Sequence, residues 1–154
     1  MQKITDISSG IYVLEIYASS SVKVAIKKFS EVHFPKGYYY YVGSAQKNLV
    51  HRINRHLKLN KKLHWHIDHI TSNVNNNIKS ILIFKDYPRN FECKLTGELQ
   101  NQFSLIHIAK GFGNSDCNIC DSHLLYSKKR IDYNHLLSLY QSTVRLIPSS
   151  RETF

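Results

Sequence analysis

The sequence predicts an α+β fold, a small mixed or antiparallel β-sheet flanked by helices. Two stretches, Gly10–Tyr17 and Tyr38–Val42, are dense in β-branched and aromatic residues, the composition of strands. From Leu49 the period changes: Leu49, Ile53 and Leu57 recur every four residues, as on one face of a helix. No internal repeat and no interdomain linker interrupts the alternation of the two kinds of segment. With 154 residues the chain is long enough to bury a core of its own, and it reads as one domain over residues 1–147 with a frayed tail over 148–154.

In chain order, Gly10–Tyr17 is the first strand and Ser19–Ser21 a turn. Val22–Lys28 alternates Val, Val and Ile with Lys and Ala, which predicts a second strand closing a hairpin. Pro35–Gly37 turns into the strand Tyr38–Val42, where Tyr39 and Tyr41 share one face and Tyr38 and Tyr40 the other. The helix carrying Leu49, Ile53 and Leu57 puts Arg52 and His56 one turn apart on a common face. His64–Ile70 is expected as a further helix, Asn73–Asn77 as a loop and Ile78–Lys85 as a strand ended by Tyr87-Pro88. Phe91–Phe103 is expected as a helix with Leu95 and Leu99 on its buried stripe, and Ser104–Ala109 as a strand. After the loop from Gly111 to Ser115, Leu124–Tyr126 has the features of a short edge strand. A last helix, capped by Asp132, is expected to run through Leu136, Leu137, Tyr140, Val144 and Ile147.

The charge points to a class of partner. Lys and Arg number 21 against 11 Asp and Glu, a formal net charge of +10. Nine histidines add to it as pH falls through about 6.5. Such a surface attracts polyanions, nucleic acid first among them. A membrane partner is not expected. The longest apolar runs are stubs such as Ile81–Phe84, and the N-terminal residues lack a signal peptide's apolar stretch. Three cysteines, an odd and small number, suit reduced thiols in the cytoplasm.

Two phrases then combine. Gly10-Ile11-Tyr12 lies on the first strand, and Tyr41-Val42-Gly43 lies on the third predicted strand and is followed by Arg52 and His56. Together they resemble the GIY-YIG nuclease superfamily, with Val42 at the position of the central Ile. The segments His64-Trp65-His66-Ile67-Asp68, Glu92-Cys93, Phe112 to Cys117 and Ser122-His123-Leu124 are similar to the archaeal-type branch of that superfamily, which is sometimes fused to a base-excision DNA glycosylase. The likeness covers roughly residues 10–126 and leaves the last predicted helix unaccounted for. The stretch between the two tyrosine motifs is longer than in the minimal fold, and the Tyr41-to-Arg52 spacing is one residue longer than in several members.

The resemblance implies a metal-dependent endonuclease hydrolysing phosphodiester bonds in DNA, structure-specific or repair-related, with DNA and a repair protein as partners. It implies Tyr12 and Tyr41 beside the scissile phosphate, one of them taking a proton from the attacking water. Only about one free tyrosine in a thousand is phenolate at pH 7, so a neighbouring cation must lower that pKa. Arg52 would clamp phosphate oxygens with its fork. His56 would orient water or protonate the leaving oxygen, or else serve packing alone. Glu92 would hold a single Mg²⁺ or Mn²⁺; the competing reading is a carboxylate that only complements a helix N-terminus. His64, His66 and Asp68 around Trp65 are either supporting residues or a capping network, and Asp116 and His123 share that choice. Cys93, Cys117, Cys120 and His123 could make a tetrahedral structural Zn²⁺ site, set against reduced thiols in a compact loop.

Two other readings compete. Basic charge and aromatic strands suffice for a non-catalytic nucleic-acid-binding module of the same fold. Asp86, Glu92 and Lys94 also spell a loose restriction-type pattern, which needs Glu and Lys alternating on a strand; Leu95 and Leu99 predict a helix there instead.

Overall fold

A computed structural model of the chain describes residues 4–113, 119–140 and 143–148. The fold is α+β, as expected. Six strands form one open sheet in the order β4-β5-β2-β1-β3-β6, with every neighbouring pair antiparallel. They are β1 (Gly10–Ala18), β2 (Gly37–Ala45), β3 (Asn76–Lys85), β4 (Ile106–His107), β5 (Leu124–Ser127) and β6 (Thr143–Leu146). The helices are α1 (Leu49–Leu57), α2 (Asp68–Thr71), α3 (Phe91–Phe103) and α4 (Asn134–Leu139).

Strand alternation divides the core into two layers. On one face Tyr12, Leu14, Ile16, Tyr39 and Tyr41 pack with Leu49, Ile53 and Leu57 of α1 and with Phe29 and Phe112. On the other, Ile11, Val13, Tyr40 and Val42 pack with Phe91, Leu95 and Leu99 of α3 and Leu136 of α4. The predicted split of the four consecutive tyrosines between faces is the observed one. The Glu15 carboxylate is fully buried, and it accepts from Tyr40 Oη at 3.0 Å, Ser80 Oγ at 3.0 Å and Arg130 Nη2 at 2.8 Å. Those bonds replace the water that the carboxylate gives up.

Gly10 shows why the first motif begins with glycine. Its φ is +152°, and a Cβ there would come within 2.4 Å of the Phe84 carbonyl oxygen on β3. The neighbouring strand leaves no room for a side chain.

Four expectations need correction. Val22–Lys28 is not a hairpin strand. Val22 and Val24 are buried and Lys23 and Ala25 exposed, so the alternation is real, but it yields only a single bridge from Val22 to Phe34, followed by a 3₁₀ turn at Lys27–Phe29. Both edges of β1 are already taken by β2 and β3, and no edge is left for it to pair with. The helix expected over His64–Ile70 shrinks to α2, because the Asp68 carboxylate takes the backbone N–H groups of His64 and Trp65 at 2.9 and 2.8 Å. Of Ser104–Ala109 only Ile106–His107 pairs as a strand. The last helix ends at Leu139. Tyr140 is extended, and the β-branched Thr143 and Val144 enter β6 on the open edge of β3. The Asp132 carboxylate does accept from the Asn134 N–H, at 3.0 Å. Among the described residues no helix is long and apolar enough to cross a membrane.

Candidate active site

A cleft of about 250 Å³ opens where both helix layers reach the Gly43–Ser44 end of β2. Tyr12 and Tyr41 form its floor, Arg52 of α1 and Glu92 of α3 its walls. A larger hollow of about 430 Å³ lies within residues 21–34, lined by basic and apolar side chains with no acid among them. Of the two, the smaller cleft holds the groups that can do chemistry.

The floor is built by register. Tyr12 lies opposite Gly43, and Leu14 opposite Tyr41, so the two tyrosines share a face. A Cβ at residue 43 would come within 2.6 Å of the Tyr12 ring, so glycine lets that ring lie across β2. The ring ends against α1, where Tyr12 Oη and His56 Nε2 share a hydrogen bond of 2.7 Å. Gly113 makes room for Tyr41 in the same way, at 2.8 Å and with φ +71°. Gly43→Ala is expected to lower stability by about 1–3 kcal/mol, the cost of overpacking a fixed ring, measured by urea unfolding.

Burial dominates the titration of this floor. It raises the Tyr12 pKa well above 10, with Tyr41 and Glu92 adding to the rise and Arg52 opposing it. Tyr41 is raised by burial and by Glu92, again against Arg52. Arg52 does pull in the direction that base catalysis needs, but burial outweighs it, and both tyrosines are protonated at neutral pH. His56 is fully buried, and burial with the nearby Lys61 ammonium lowers its pKa to about 3. The ring is therefore neutral. Its Nδ1 has no hydrogen-bond partner among the described residues, so Tyr12 and packing hold it in place.

Trp65 organises the basic wall. The Arg52 and Arg55 guanidinium groups lie 4.9 and 4.4 Å from its ring, and the His64 ring 5.7 Å. Arg52 Nη1 donates to the Ser44 carbonyl at 2.5 Å, which fixes the guanidinium beside the floor. Arg55 grips Asp68 through two bonds of 2.7 and 2.8 Å. Burial raises the Asp68 pKa, but bonds from Arg55, Trp65 and His64 outweigh it, and the value falls to about 2. Asp68 therefore anchors the wall and does not line the cleft. His64 meets Asp68 through its backbone N–H, as in a capping network, while its ring sits at the cleft rim. His66 Nδ1 accepts the Gly113 N–H at 3.0 Å, and burial lowers its pKa.

Glu92 is the one carboxylate among the described residues lining the cleft. Its side chain is 14% exposed, and Oε1 lies 2.6 Å from Nδ1 of the buried His123. It stands in the first turn of α3, so Glu92 and Lys94 are helical neighbours and the restriction-type pattern has no strand to occupy. One carboxylate beside two phenolic oxygens is a set of hard oxygen donors, which fits Mg²⁺ or Mn²⁺ with most ligands left as water. Cys93, Cys120 and His123 form a separate group, with ligand atoms all within 4.8 Å of one another. Asp116 and Cys117 lie outside the described residues.

The structure thus brings Tyr12, Tyr41, Arg52, His64, His66 and Glu92 to one cleft, with His56 and His123 directly behind it. Arg89, which also lines the cleft, was missed. The available signal was a basic residue on the turn before α3, three positions before Glu92.

A family described as "Domain of unknown function DUF123" matches residues 11–145 of the chain. No curated protein and no solved structure matches it.

Proposed function

We propose that this chain, which belongs to the DUF123 family, is a metal-dependent endonuclease of GIY-YIG type that hydrolyses phosphodiester bonds in DNA. One observation carries the reading: two tyrosines, an arginine fork and a single carboxylate from three separated stretches of sequence meet in one cleft. The net charge of +10 suits a polyanionic substrate. Branched or damaged DNA handed on by a repair protein is the substrate class we favour. A cytoplasmic location is in keeping with the odd and small number of cysteines, three in the chain.

Arg52, held by Ser44 and stacked on Trp65, binds a non-bridging phosphate oxygen and offsets the charge that grows on it. A divalent cation at Glu92 would supply positive charge at the phosphate and would lower the pKa of a water enough for its proton to leave to solvent. Tyr12, protonated by its burial, orients the water: Oη accepts a hydrogen bond from it while donating its own to His56 Nε2, 2.7 Å away. His56 is neutral above about pH 3, so at neutral pH its Nε2 is a hydrogen-bond acceptor that holds the Tyr12 hydroxyl in one orientation. Tyr41 donates to a phosphate or leaving oxygen. A binding module without catalysis is the second reading, favoured by the protonated state of both tyrosines.

The test is cleavage of supercoiled, single-stranded and branched DNA by the purified chain with Mg²⁺, Mn²⁺ or EDTA. Cleavage in either metal, lost in EDTA, is the expected result. Salt-sensitive binding with no cleavage of any substrate would favour the binding module.

A further inference from the structure

We propose that Cys93, Cys120 and His123 form a binding site for a thiophilic divalent metal, zinc by its donor chemistry, placed immediately behind Glu92. The three ligand atoms lie within 4.8 Å of one another. Cys93 Sγ stands 3.6 Å from His123 Nε2. A tetrahedral zinc with Zn–S of about 2.3 Å and Zn–N of about 2.0–2.1 Å requires that edge to be roughly 3.6 Å. One edge of the ligand triangle is therefore already at the length that the metal imposes. No two of the ligand atoms are more than 4.8 Å apart, so the sulfur–sulfur edge of such a site is reached by a movement of at most about 1 Å.

The supports are firm. Cys93 is on the first turn of α3. His123 is pinned by its backbone, its N–H donating to the Phe112 carbonyl and its carbonyl accepting from the Val42 N–H, both at 3.0 Å. Cys120 lies three residues before His123, a tight spacing for two ligands on one strand entry. The orientation of His123 is the second, independent observation. Its Nδ1 faces the Glu92 carboxylate at 2.6 Å, while its Nε2 faces the thiols. A ring with its proton on the nitrogen beside the carboxylate presents the other nitrogen as a lone pair, the arrangement found around histidines that bind zinc. Two thiolates and a neutral imidazole prefer zinc to Mg²⁺, so this site and the oxygen-donor cleft select different ions.

There is a consequence for the cleft, and it rests on the nuclease reading. Metal on Nε2 keeps the proton on Nδ1, so Glu92 is held as an acceptor in one orientation.

The experiment reads metal and not cleavage, so it stands whether or not the chain cuts DNA. The full chain is purified without chelator, its zinc content measured, and Co²⁺ titrated into the metal-free protein. The expected result is about one equivalent of zinc, with thiolate-to-cobalt charge-transfer absorption and the ligand-field bands of tetrahedral cobalt. Cys93→Ser and Cys120→Ser should each remove the thiolate absorption in part and weaken binding. Glu92→Gln should keep the stoichiometry and weaken affinity about 10–100-fold, as expected for a carboxylate supporting a ligand histidine. Should the serine variants fail to fold, alkylation of wild-type protein decides: zinc is expected to slow modification of Cys93 and Cys120. Absence of thiolate–cobalt absorption in the wild type, equal alkylation with and without zinc, or a mass showing a Cys93–Cys120 disulfide in place of metal would overturn the site.

Discussion

Glu92→Gln is expected to lower metal-dependent cleavage by about a thousand-fold while DNA binding is kept or slightly strengthened. Glutamine has the shape of glutamate, and its carbonyl can still meet His123 Nδ1, now 2.6 Å from Oε1. What it removes is the one negative charge among the described cleft-lining residues. A cation held by that carboxylate would offset transition-state charge by several kcal/mol, and each 1.4 kcal/mol is a factor of ten. Binding moves the other way. Removing a carboxylate from a cleft walled by Arg52 and Arg89 reduces repulsion of the phosphate backbone, and no phosphate contact is lost. Cleavage rates with Mg²⁺, together with binding measured across a salt series, separate the two effects. Equal cleavage by wild type and variant would remove Glu92 from the mechanism. A parallel fall in binding and cleavage would mean that the carboxylate only supports the fold.

The parts of this site that depend on local pattern are readable from the sequence, and the parts that depend on long contacts are not. Tyr12 and Tyr41 follow from strand alternation, and Arg52 and His56 from helical spacing. Glu92 follows from its place beside Leu95 and Leu99 on the inner stripe of α3. Nothing in the sequence pairs Tyr12 with His56, 44 residues away, or Arg55 with Asp68 through a two-pronged bond. The Glu92–His123 contact links α3 to the entry of β5, and no period or spacing encodes it. The fold shows the same division. Val22–Lys28 has strand alternation, but whether such a segment joins a sheet depends on a free edge, and β1 offers none. Val144 lies on a plausible helical stripe after Leu136 and Tyr140, yet the open edge of β3 captures it as strand. In both cases competition for sheet edges, a property of the assembled molecule, overrides the local pattern.

Acid is expected to unfold this protein in two separable stages, the first set by His56. An unfolded chain leaves its imidazole near pKa 6.5, whereas burial and Lys61, opposed by Asp68 and reinforced by Arg55 and Arg52, lower it to about 3 in the folded state. Between those values the unfolded chain binds a proton that the folded chain refuses. Stability therefore falls as pH drops from about 6.5 to about 3, by roughly 4–5 kcal/mol over the full range. That is a large share of the 5–15 kcal/mol typical of a domain. His66, whose pKa burial also lowers, acts with the same sign. Asp68 acts later. Its carboxylate titrates near 3.8 when unfolded and near 2 when gripped by Arg55, so its stabilisation is complete above about pH 4 and is lost as pH falls through about 2. His56→Gln separates the stages, because glutamine can still bond Tyr12 Oη but takes up no proton. Urea unfolding at intervals from pH 7 to pH 3 should show a steep loss for wild type and a shallow one, carried by the remaining histidines, for the variant. The variant should regain the common acid limb below pH 4, where carboxylates protonate in both proteins. Equal slopes between pH 6.5 and pH 4 would mean that the buried imidazole reaches water without unfolding. The role of His56 as a sealed, neutral acceptor that orients Tyr12 would then have to be abandoned.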